Sequence, residues 1–477
     1  MVVATLLATF VVVPAAGAVP INVTTADDLY GGSAGSCSLR EAVTAAQTNV
    51  AFDGCAAGSG VDAIKLPGGV YKITRAGAGE NANLTGDFDI TGTDALSVEA
   101  ADGTAKVEVN GNGLDRVFDQ QGNNAVSFNF LHVTNGLLTL IEDGGGIRNN
   151  TGTMSINSST ISDSKSAHSA GGIAVYNNLT MINSTVSGNS ADGNAGGIYV
   201  PGGSLATVRS STITKNTADA NADGSGEGGG FNDSVSTSTN FFNVINAANT
   251  DSSPVNKSPD CYSGPTFFPR YVVTTQALGA GNCLVGFNPP GLNKVVPDAL
   301  IGPLQDNGGQ TPAHALLLGS PAIGAGSDGS VPLDACPAVD QTGRTRPAGT
   351  CDIGAVQYVE PPPPVATLLI DKIGPQKKKV KRGKTIKIKL RILNGGNGAA
   401  QGVKACLALT AKNSKKALKI KGPKCKTLGT LDAGAVKFAV IKVQAKKKAK
   451  KKSFKVVSSV VGTGLQKGTR PFNVKVK

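Results

Sequence analysis

A repeated unit in the middle of the chain limits the possible fold more than any other feature. Each copy begins with two glycines and a hydrophobic residue, and the three clearest copies begin at Gly145, Gly171 and Gly196. A fourth start follows at Gly229, so that successive starts lie 26, 25 and 33 residues apart. Repeats of this length indicate a solenoid, in which each unit packs on its neighbours along one axis.

The composition of each copy indicates which solenoid it is. Short β-branched runs alternate with Gly, Asn, Asp and Ser, which favour turns, and no copy has the 3.6-residue period of a helix. This pattern predicts an all-β fold, a right-handed parallel β-helix with three short strands per coil. Ile156, Met181 and Val208 should then form one interior ladder, and Asn189 and Asn216 should stack at one corner. A β-sandwich of many short strands is the alternative.

The N-terminus has the composition of an export signal. Residues 1–18 are predicted to be a signal peptide, because the apolar run from Val2 to Val13 is too short to span a bilayer and Ala16-Gly17-Ala18 resembles a cleavage site. No Lys or Arg precedes Arg40, so either the start lies further upstream or the signal is weak. No other segment is long and apolar enough to predict a membrane span.

The eight cysteines fall into four sequential pairs. An even number in an exported chain predicts disulfides, and the absence of CxxC spacing or a nearby histidine argues against a zinc site. The sequence does not prove the connectivity. The predicted bridges are Cys37–Cys55, Cys261–Cys283, Cys336–Cys351 and Cys406–Cys425.

The segment Ser38-Leu39-Arg40-Glu41 has the S-x-x-E pattern of a helix capping box. It predicts a helix from Leu39 to about Thr48, and this helix can cover the open hydrophobic end of the β-helix. A bridge between Cys37 and Cys55 would anchor this N-terminal cap, a contribution of about 3 kcal/mol if unstrained. The residues expected to face the first coil are Leu39, Ala42, Val43 and Ala46.

The segment CSLREAV, which begins at Cys37, resembles the signature of the bacterial CSLREA N-terminal domain. The coils resemble the β-helix repeats of bacterial surface proteins of the choice-of-anchor Q type. Three segments resemble the closing part of that family, namely 300–326, 340–347 and 351–357. The resemblance covers about residues 21–358 and implies an exported surface protein without a known reaction. This chain departs from the family at its C-terminus, where a separate domain takes the place of an LPxTG-like motif or a terminal hydrophobic helix.

Charge divides the chain into two parts. Residues 366–477 contain 31 Lys and Arg against two acids, a net charge of +29, whereas residues 1–365 contain 15 against 31, a net charge of −16. A run of four prolines follows Glu360 and predicts a stiff linker. The predicted organisation is a signal peptide (1–18), a capped β-helix (19–358), a linker (359–366) and a lysine-rich domain (367–477).

The lysine-rich domain is predicted to be an immunoglobulin-like antiparallel β-sandwich. Residues 385–392 alternate between apolar and basic side chains, as in a half-buried strand. Four more strands are predicted around 403–409, 436–443, 454–461 and 472–476. The pattern resembles the CARDB and related adhesion-type modules of bacterial surface proteins.

Two lysine clusters in this domain are candidate polyanion-binding residues. Either can be a solvated loop, but a field of +29 on one small domain attracts polyanions, and salt weakens that attraction. We expect anionic envelope polymers or glycans as partners, and no specific nucleic acid, because the domain lacks aromatic stacking platforms. The sequence does not predict an oligomeric state. The candidates are Lys377, Lys378, Lys379, Lys446, Lys447, Lys448, Lys450, Lys451 and Lys452.

The alternative function is a polysaccharide lyase or glycoside hydrolase acting on an acidic glycan, because parallel β-helices also carry such enzymes. Asp87 and Asp89 are the closest carboxylate pair, and we interpret them as solvated or turn-forming. The three histidines, His132, His168 and His314, are scattered, and His314 is expected to form structural hydrogen bonds. The sequence therefore predicts a secreted, non-enzymatic, adhesin-like cell-surface protein with no catalytic residues, metal or cofactor.

Overall fold

The computed structural model describes residues 20–32, 35–139, 141–233, 238–254, 257–264, 267–276, 292–332, 334–347, 349–360 and 364–477. The predicted signal peptide and Pro361–Pro363 of the predicted linker lie outside these residues. The chain is all-β and divides into two compact units between Val359 and Glu360.

The first unit is a parallel β-helix, as the repeat predicts. Its coils contribute strands to three faces and a short fourth rung. The first face contains Ile21–Asn22, Asp62–Leu66, Leu96–Ala100, Ala125–Asn129, Thr153–Asn157, Asn178–Ile182, Leu205–Arg209, Ser238–Ala247 and Phe267–Thr274. The second face contains Gly69–Lys72, Val107–Asn110, Leu131–Thr134, Thr160–Ser162, Thr185–Ser187, Thr212–Thr214 and Lys294–Val295, and it joins the first through Ser238–Ala247 and Phe267–Thr274. The third face contains Phe88–Ile90, Phe118–Gln120, Ile147–Asn149, Ile173–Val175, Ile198–Val200, Phe231–Asp233 and Cys261–Tyr262. The short rung contains Leu137–Leu138, Lys165–Ser166, Ser190–Ala191, Thr217–Ala218 and Thr250–Asp251.

The interior of the β-helix is built from in-register ladders of apolar side chains. Ile156 pairs with Met181 and Met181 with Val208, which confirms the predicted ladder, and Phe128 and Phe241 extend it at either end. All five side chains are fully buried. Burial of such side chains contributes about 1.5–3 kcal/mol each, so the stacked coils supply the driving force for folding.

Polar side chains stack at the corners. The Asn189 amide donates to Asn216, and the Asn216 amide donates to Asn249, with nitrogen and oxygen 3.0 Å apart in both cases. This confirms the predicted asparagine stack and extends it by one coil. Steric contact explains why glycines open each repeat, because a Cβ on Gly172 would lie only 2.6 Å from the carbonyl oxygen of Gly197.

The N-terminal cap is a helix over Leu39–Thr48, the range that the sequence predicts. Ser38 Oγ accepts from the Glu41 amide at 3.1 Å, and Glu41 Oε2 accepts from the Ser38 amide at 2.9 Å, so both halves of the capping box are present. The four residues expected to face the first coil are buried.

Arg40 has a larger role than the sequence suggests. Its side chain is fully buried, and its Nε donates to Asp28 Oδ1 at 2.7 Å. The guanidinium also donates to the carbonyl oxygens of Gly86 and Asp87 and lies 4.7 Å from the centroid of the Phe88 ring. Arg40 therefore joins the helix to the first strand of the third face.

The described residues between 300 and 358 run back along the outer side of the second face, and we call them the return segment. They include an antiparallel hairpin of Ile301–Gln305 and Ala313–Leu316. Gln341 accepts from the Thr185 hydroxyl at 2.6 Å and donates to the Thr160 hydroxyl at 2.8 Å. Further along, Thr212 accepts from the Ala355 amide at 3.1 Å. The hydroxyl ladder of the second face thus holds the return segment in place.

The second unit is a sandwich of two β-sheets, consistent with the immunoglobulin-like prediction. Its core is one cluster of buried hydrophobic side chains, which are aliphatic apart from Phe454. The first sheet contains, in spatial order, Leu368–Gly374, Thr385–Asn394, Val436–Ala445 and Leu418–Lys421. The second sheet contains Lys379–Val380, Gly468–Val476, Ser453–Val461, Ala400–Ala408 and Cys425–Leu431. A short helix, Lys412–Ala417, was not predicted from the sequence.

Three of the four predicted disulfides are present, Cys37–Cys55, Cys336–Cys351 and Cys406–Cys425. The fourth prediction involves Cys283, which lies outside the part of the chain that the structure describes. Three disulfides indicate that the protein folds in an oxidising environment. No helix among the described residues has the length and apolar character that crossing a bilayer requires.

Candidate functional sites

A row of three lysines crosses the outer face of the first sheet in the C-terminal unit. Lys442 lies opposite Lys387 on one neighbouring strand and opposite Lys421 on the other. All three side chains are exposed. Strands in a sheet are about 4.8 Å apart, so this lysine row concentrates positive charge along one line, and like charges directly opposite each other are destabilising.

The surroundings of the lysine row add little negative charge. The acids of this unit are Glu360, Asp371 and Asp432, and Asp371 forms an ion pair with Arg391. On the same face, the ammonium of Lys389 lies 4.0 Å from the centroid of the exposed Phe438 ring. The face therefore concentrates positive charge, and such a field attracts anions.

The lysine run 446–452 connects two long strands of opposite sheets. The lysines predicted to bind polyanions, Lys446, Lys447, Lys448, Lys450, Lys451 and Lys452, are exposed. Ala449 in their midst is buried in the sandwich core, and the Lys446 amide donates to the carbonyl oxygen of Ala417 at 2.9 Å. The run is therefore an anchored loop of exposed lysines, and the Lys446 ammonium donates to the carbonyl oxygen of Lys415 at 3.0 Å.

The structure brings the two predicted lysine clusters together. Lys379 pairs with Lys475 on the last strand, and Lys475 pairs on its other side with Ser453, which follows Lys452. The Lys475 amide also donates to the carbonyl oxygen of Lys378 at 2.8 Å. Lys377–Lys379 and the end of the lysine run thus flank one strand. The lysine row is a further cationic group that the sequence analysis did not single out, although the alternation over residues 385–392 already signalled it.

Asp87 and Asp89 are buried, so the interpretation of them as solvated or turn-forming residues is wrong. They lie on the same side of the strand Phe88–Ile90, and Asp89 is in register with Asp119 on the next coil. Oxygens of the three carboxylates lie within 4.8 Å of one another. The stacking of one coil on the next thus brings Asp119 to the pair, although Asp119 is 30 residues from Asp89 in the sequence.

Two arginines neutralise this carboxylate cluster. Arg116 Nη1 lies 3.0 Å from Asp87 Oδ2 and 2.9 Å from Asp119 Oδ2. Arg148, in register with Asp119, donates to both oxygens of that carboxylate. Three carboxylates this close have the oxygen donors that a divalent cation prefers. Here the arginines already bind Asp87 and Asp119, whereas Asp89 accepts from the Asn83 amide and the Gln121 side chain, and we interpret the cluster as a structural polar network.

Burial shifts the acidity of this cluster. Loss of hydration raises the pKa of Asp89 to about 7, and the neighbouring Asp119 carboxylate adds to the shift. Burial also raises the pKa of Asp87 well above its ordinary value, although the Arg116 guanidinium opposes the shift. The cluster therefore favours retaining protons that exposed carboxyl groups would lose.

A second polar group lies on the outside of the β-helix around Asp143. This carboxylate is buried, and Oδ1 lies 2.6 Å from His168 Nδ1 and accepts from the Ser169 amide at 2.8 Å. Its other oxygen accepts from the Tyr176 hydroxyl. The His168 side chain is 50% exposed, so a buried carboxylate orients an accessible imidazole. A carboxylate–imidazole pair of this kind can act as a general base, and no local sequence pattern indicates it because 25 residues separate Asp143 from His168.

The architecture defines an all-β protein in which a capped, disulfide-containing parallel β-helix precedes a cationic β-sandwich. No protein-family model and no curated protein matches the chain. Among solved structures, the CARDB domain of a Pyrococcus furiosus protein, crystallised with two metal ions, is 16% identical. It covers 24% of this chain and 93% of its own, with a TM-score of 0.17. A fragment of Escherichia coli alpha-2-macroglobulin is 19% identical and covers 24% of this chain and 16% of its own, also with a TM-score of 0.17.

Proposed function

We propose that this is a secreted, non-enzymatic cell-surface protein whose C-terminal unit binds anionic envelope polymers and whose β-helix is displayed. The observation that carries the proposal is the lysine row, Lys387, Lys442 and Lys421, on a rigid and exposed sheet. Three like charges in line destabilise the sheet by repulsion, and a bound polyanion would remove this repulsion by neutralising them.

The β-helix supports the display role. Its coils are locked by interior ladders, by the N-terminal cap and by the return segment. Such a stack is stiff, and a net charge of −16 over residues 1–365 gives this part no general attraction to an anionic surface. The opposite charges of the two parts therefore favour attachment through the C-terminal unit alone.

The test is binding of the full chain to immobilised polyglycerol phosphate, with neutral dextran as the reference surface. We expect binding at about 0.05 M NaCl and release at about 1 M NaCl, because salt screens exposed charges. A triple variant, Lys387→Gln, Lys421→Gln and Lys442→Gln, should lose most of the binding.

The sandwich offers a matched control for this experiment. Lys404, Lys426 and Lys455 are exposed on the other sheet, and changing all three to Gln removes the same number of charges. If both triple variants lose binding equally, the attraction comes from total charge, and the lysine row is not the site. If a chain ending at Glu360 binds as well as the full chain, the proposal is wrong.

A second candidate function is favoured by the Asp143–His168 pair. A half-exposed imidazole held by a buried carboxylate can remove a proton from a substrate, as an acidic-glycan lyase requires. Release of unsaturated products from pectin or alginate, with calcium present, would support this function. Loss of that activity in His168→Gln, with the fold retained, would assign it to this pair.

A further inference from the structure

A slot opens on the second face of the β-helix, between the first coils and the turn of the return segment over residues 306–312. Pro312 covers the strand Thr160–Ser162 by accepting from the Thr160 hydroxyl at 2.5 Å. The outer positions of the two preceding strands, Glu108 and His132, are left uncovered and line a cavity of about 280 Å³. This volume lies just below the range of about 300–1,000 Å³ for drug-sized ligands, so it fits a smaller molecule.

The slot has a floor and a fixed wall. Val70, Glu108 and His132 lie side by side across three strands and form the floor. The wall is the turn of the return segment, which an ion pair between Asp306 and Lys106 holds against the coil. Gln310 holds the turn a second time by donating to the carbonyl oxygens of Asp102 and Ala105.

Hydrogen bonds determine which atoms of His132 and Glu108 face a ligand. The Ser162 hydroxyl donates to Asp163 at 2.8 Å, so Ser162 Oγ accepts from His132 Nε2, which lies 2.9 Å away. Burial lowers the pKa of His132 despite the nearby carboxylates of Glu108 and Asp163, which favours the neutral ring. With the proton on Nε2, His132 Nδ1 is an acceptor.

Two acceptors therefore face each other in the slot, and no donor from the described residues bridges them. His132 Nδ1 lies 3.8 Å from Glu108 Oε2, too far for a direct hydrogen bond. Glu108 Oε1 already accepts a hydrogen bond from Asn110 Nδ2 at 2.7 Å. A ligand that donates to both acceptors would fill the gap, and the aliphatic surfaces of Val70 and Pro312 suit an apolar ring face.

We propose that this slot binds a single neutral sugar ring, with two neighbouring hydroxyls donating to Glu108 Oε2 and His132 Nδ1. A sugar ring has donors in the required arrangement and an apolar face for Val70, and it is small enough for the cavity. The displayed β-helix would then recognise a terminal sugar of a glycan. This site lies in the β-helix unit, so its test is independent of polyanion binding by the C-terminal unit.

The chain contains three histidines, and this makes a direct experiment possible. Imidazole resonances of the untagged full chain are recorded by NMR during titration with glucose, galactose, mannose or N-acetylglucosamine, and with glucosamine as a charged comparison. The His132 signals are assigned by their loss in His132→Gln. We expect at least one neutral sugar to shift the His132 signals saturably and to leave those of His168 and His314 in place.

Two variants and one control decide the assignment. Glu108→Gln should weaken binding by about tenfold, because it removes a charge-assisted hydrogen bond, and Val70→Phe should abolish binding by filling the floor. Glu99→Gln is the control, since Glu99 pairs with Lys65 on the first face, and it should bind as the wild type does. The proposal is overturned if no neutral sugar gives a saturable shift, if only glucosamine binds, or if Glu108→Gln and Val70→Phe leave binding unchanged.

Discussion

The imidazole of His314 joins the return segment to the β-helix, with Nε2 2.8 Å from the hydroxyl oxygen of Ser187. Nδ1 of the same ring lies 2.7 Å from the carbonyl oxygen of Gly302, so Nδ1 carries the proton and donates, and Nε2 accepts from Ser187. The two residues are 127 positions apart in the sequence. The structural role expected for His314 therefore has a specific form, because a neutral and buried ring holds two segments together.

We predict that His314 makes stability sensitive to acid. Burial lowers the pKa of His314 to about 4, whereas an unfolded histidine titrates near about 6.5. Between these values the unfolded chain binds a proton that the folded chain does not, so stability falls as the pH decreases through this window. His314→Gln lacks this proton uptake. Urea unfolding from about pH 7 to about pH 4 should show a smaller loss of unfolding free energy for the variant than for the wild type. An equal loss in both proteins would contradict the prediction. His168→Gln, at a half-exposed position, is the control.

We predict the opposite dependence for Asp89. Because its pKa is raised to about 7, the folded chain keeps a proton that the unfolded chain loses above about pH 4. The stability associated with this group is present in acid and is lost as the pH rises to about 7. Relative to the wild type, Asp89→Asn should gain stability over this range and then level off.

The control for Asp89 is the exposed Asp102, whose pKa is lowered by hydrogen bonds from the Thr104 hydroxyl and amide. Asp102→Asn should lose stability relative to the wild type as the pH rises, the reverse of Asp89→Asn. The stability of both variants relative to the wild type is measured by unfolding, monitored by circular dichroism at several pH values. A pH-independent difference between Asp89→Asn and the wild type would show that this carboxyl group titrates normally.

We predict that the Arg40–Asp28 pair is essential for the N-terminal cap. Both side chains are buried, and removal of one partner leaves an uncompensated buried charge. Arg40→Met should therefore destabilise the β-helix by about 3–5 kcal/mol. The double variant Arg40→Met, Asp28→Leu should be less damaging than the single one, because it leaves no unpaired charge. Calorimetry measures both, with the exposed Arg344→Gln expected to change stability by less than about 0.5 kcal/mol. Equal losses in Arg40→Met and Arg344→Gln would argue against this role.

We predict that the lysine row lowers the stability of the sandwich. Lys442 lies between Lys387 and Lys421, so Lys442→Gln removes two repulsions at once. The variant should be more stable by about 0.2–1 kcal/mol at low salt, and the gain should shrink at about 1 M NaCl. Guanidinium is itself a salt, so urea unfolding is the appropriate measurement. A gain that is independent of salt would mean that repulsion is not its cause.

Much of the fold was predictable because its determinants are local or periodic. The glycine-led repeat predicts the coils, since only residues without a Cβ fit where Gly172 approaches Gly197. The capping box predicts the helix Leu39–Thr48, because its hydrogen bonds span three residues. The alternation over residues 385–392 predicts a strand with a basic outer face, since successive side chains point to opposite sides.

The sequence by itself therefore determined the β-helix, the cap, the strands of the sandwich and the charge of each part. Only the tertiary structure decided which distant residues meet. Stacking one coil on the next buries Asp89 beside Asp119. The path of the return segment along the second face brings His314 to Ser187 and forms the slot at His132. Strand pairing likewise aligns Lys387, Lys442 and Lys421. Such contacts depend on register and on the path of the chain through space, which local patterns do not encode.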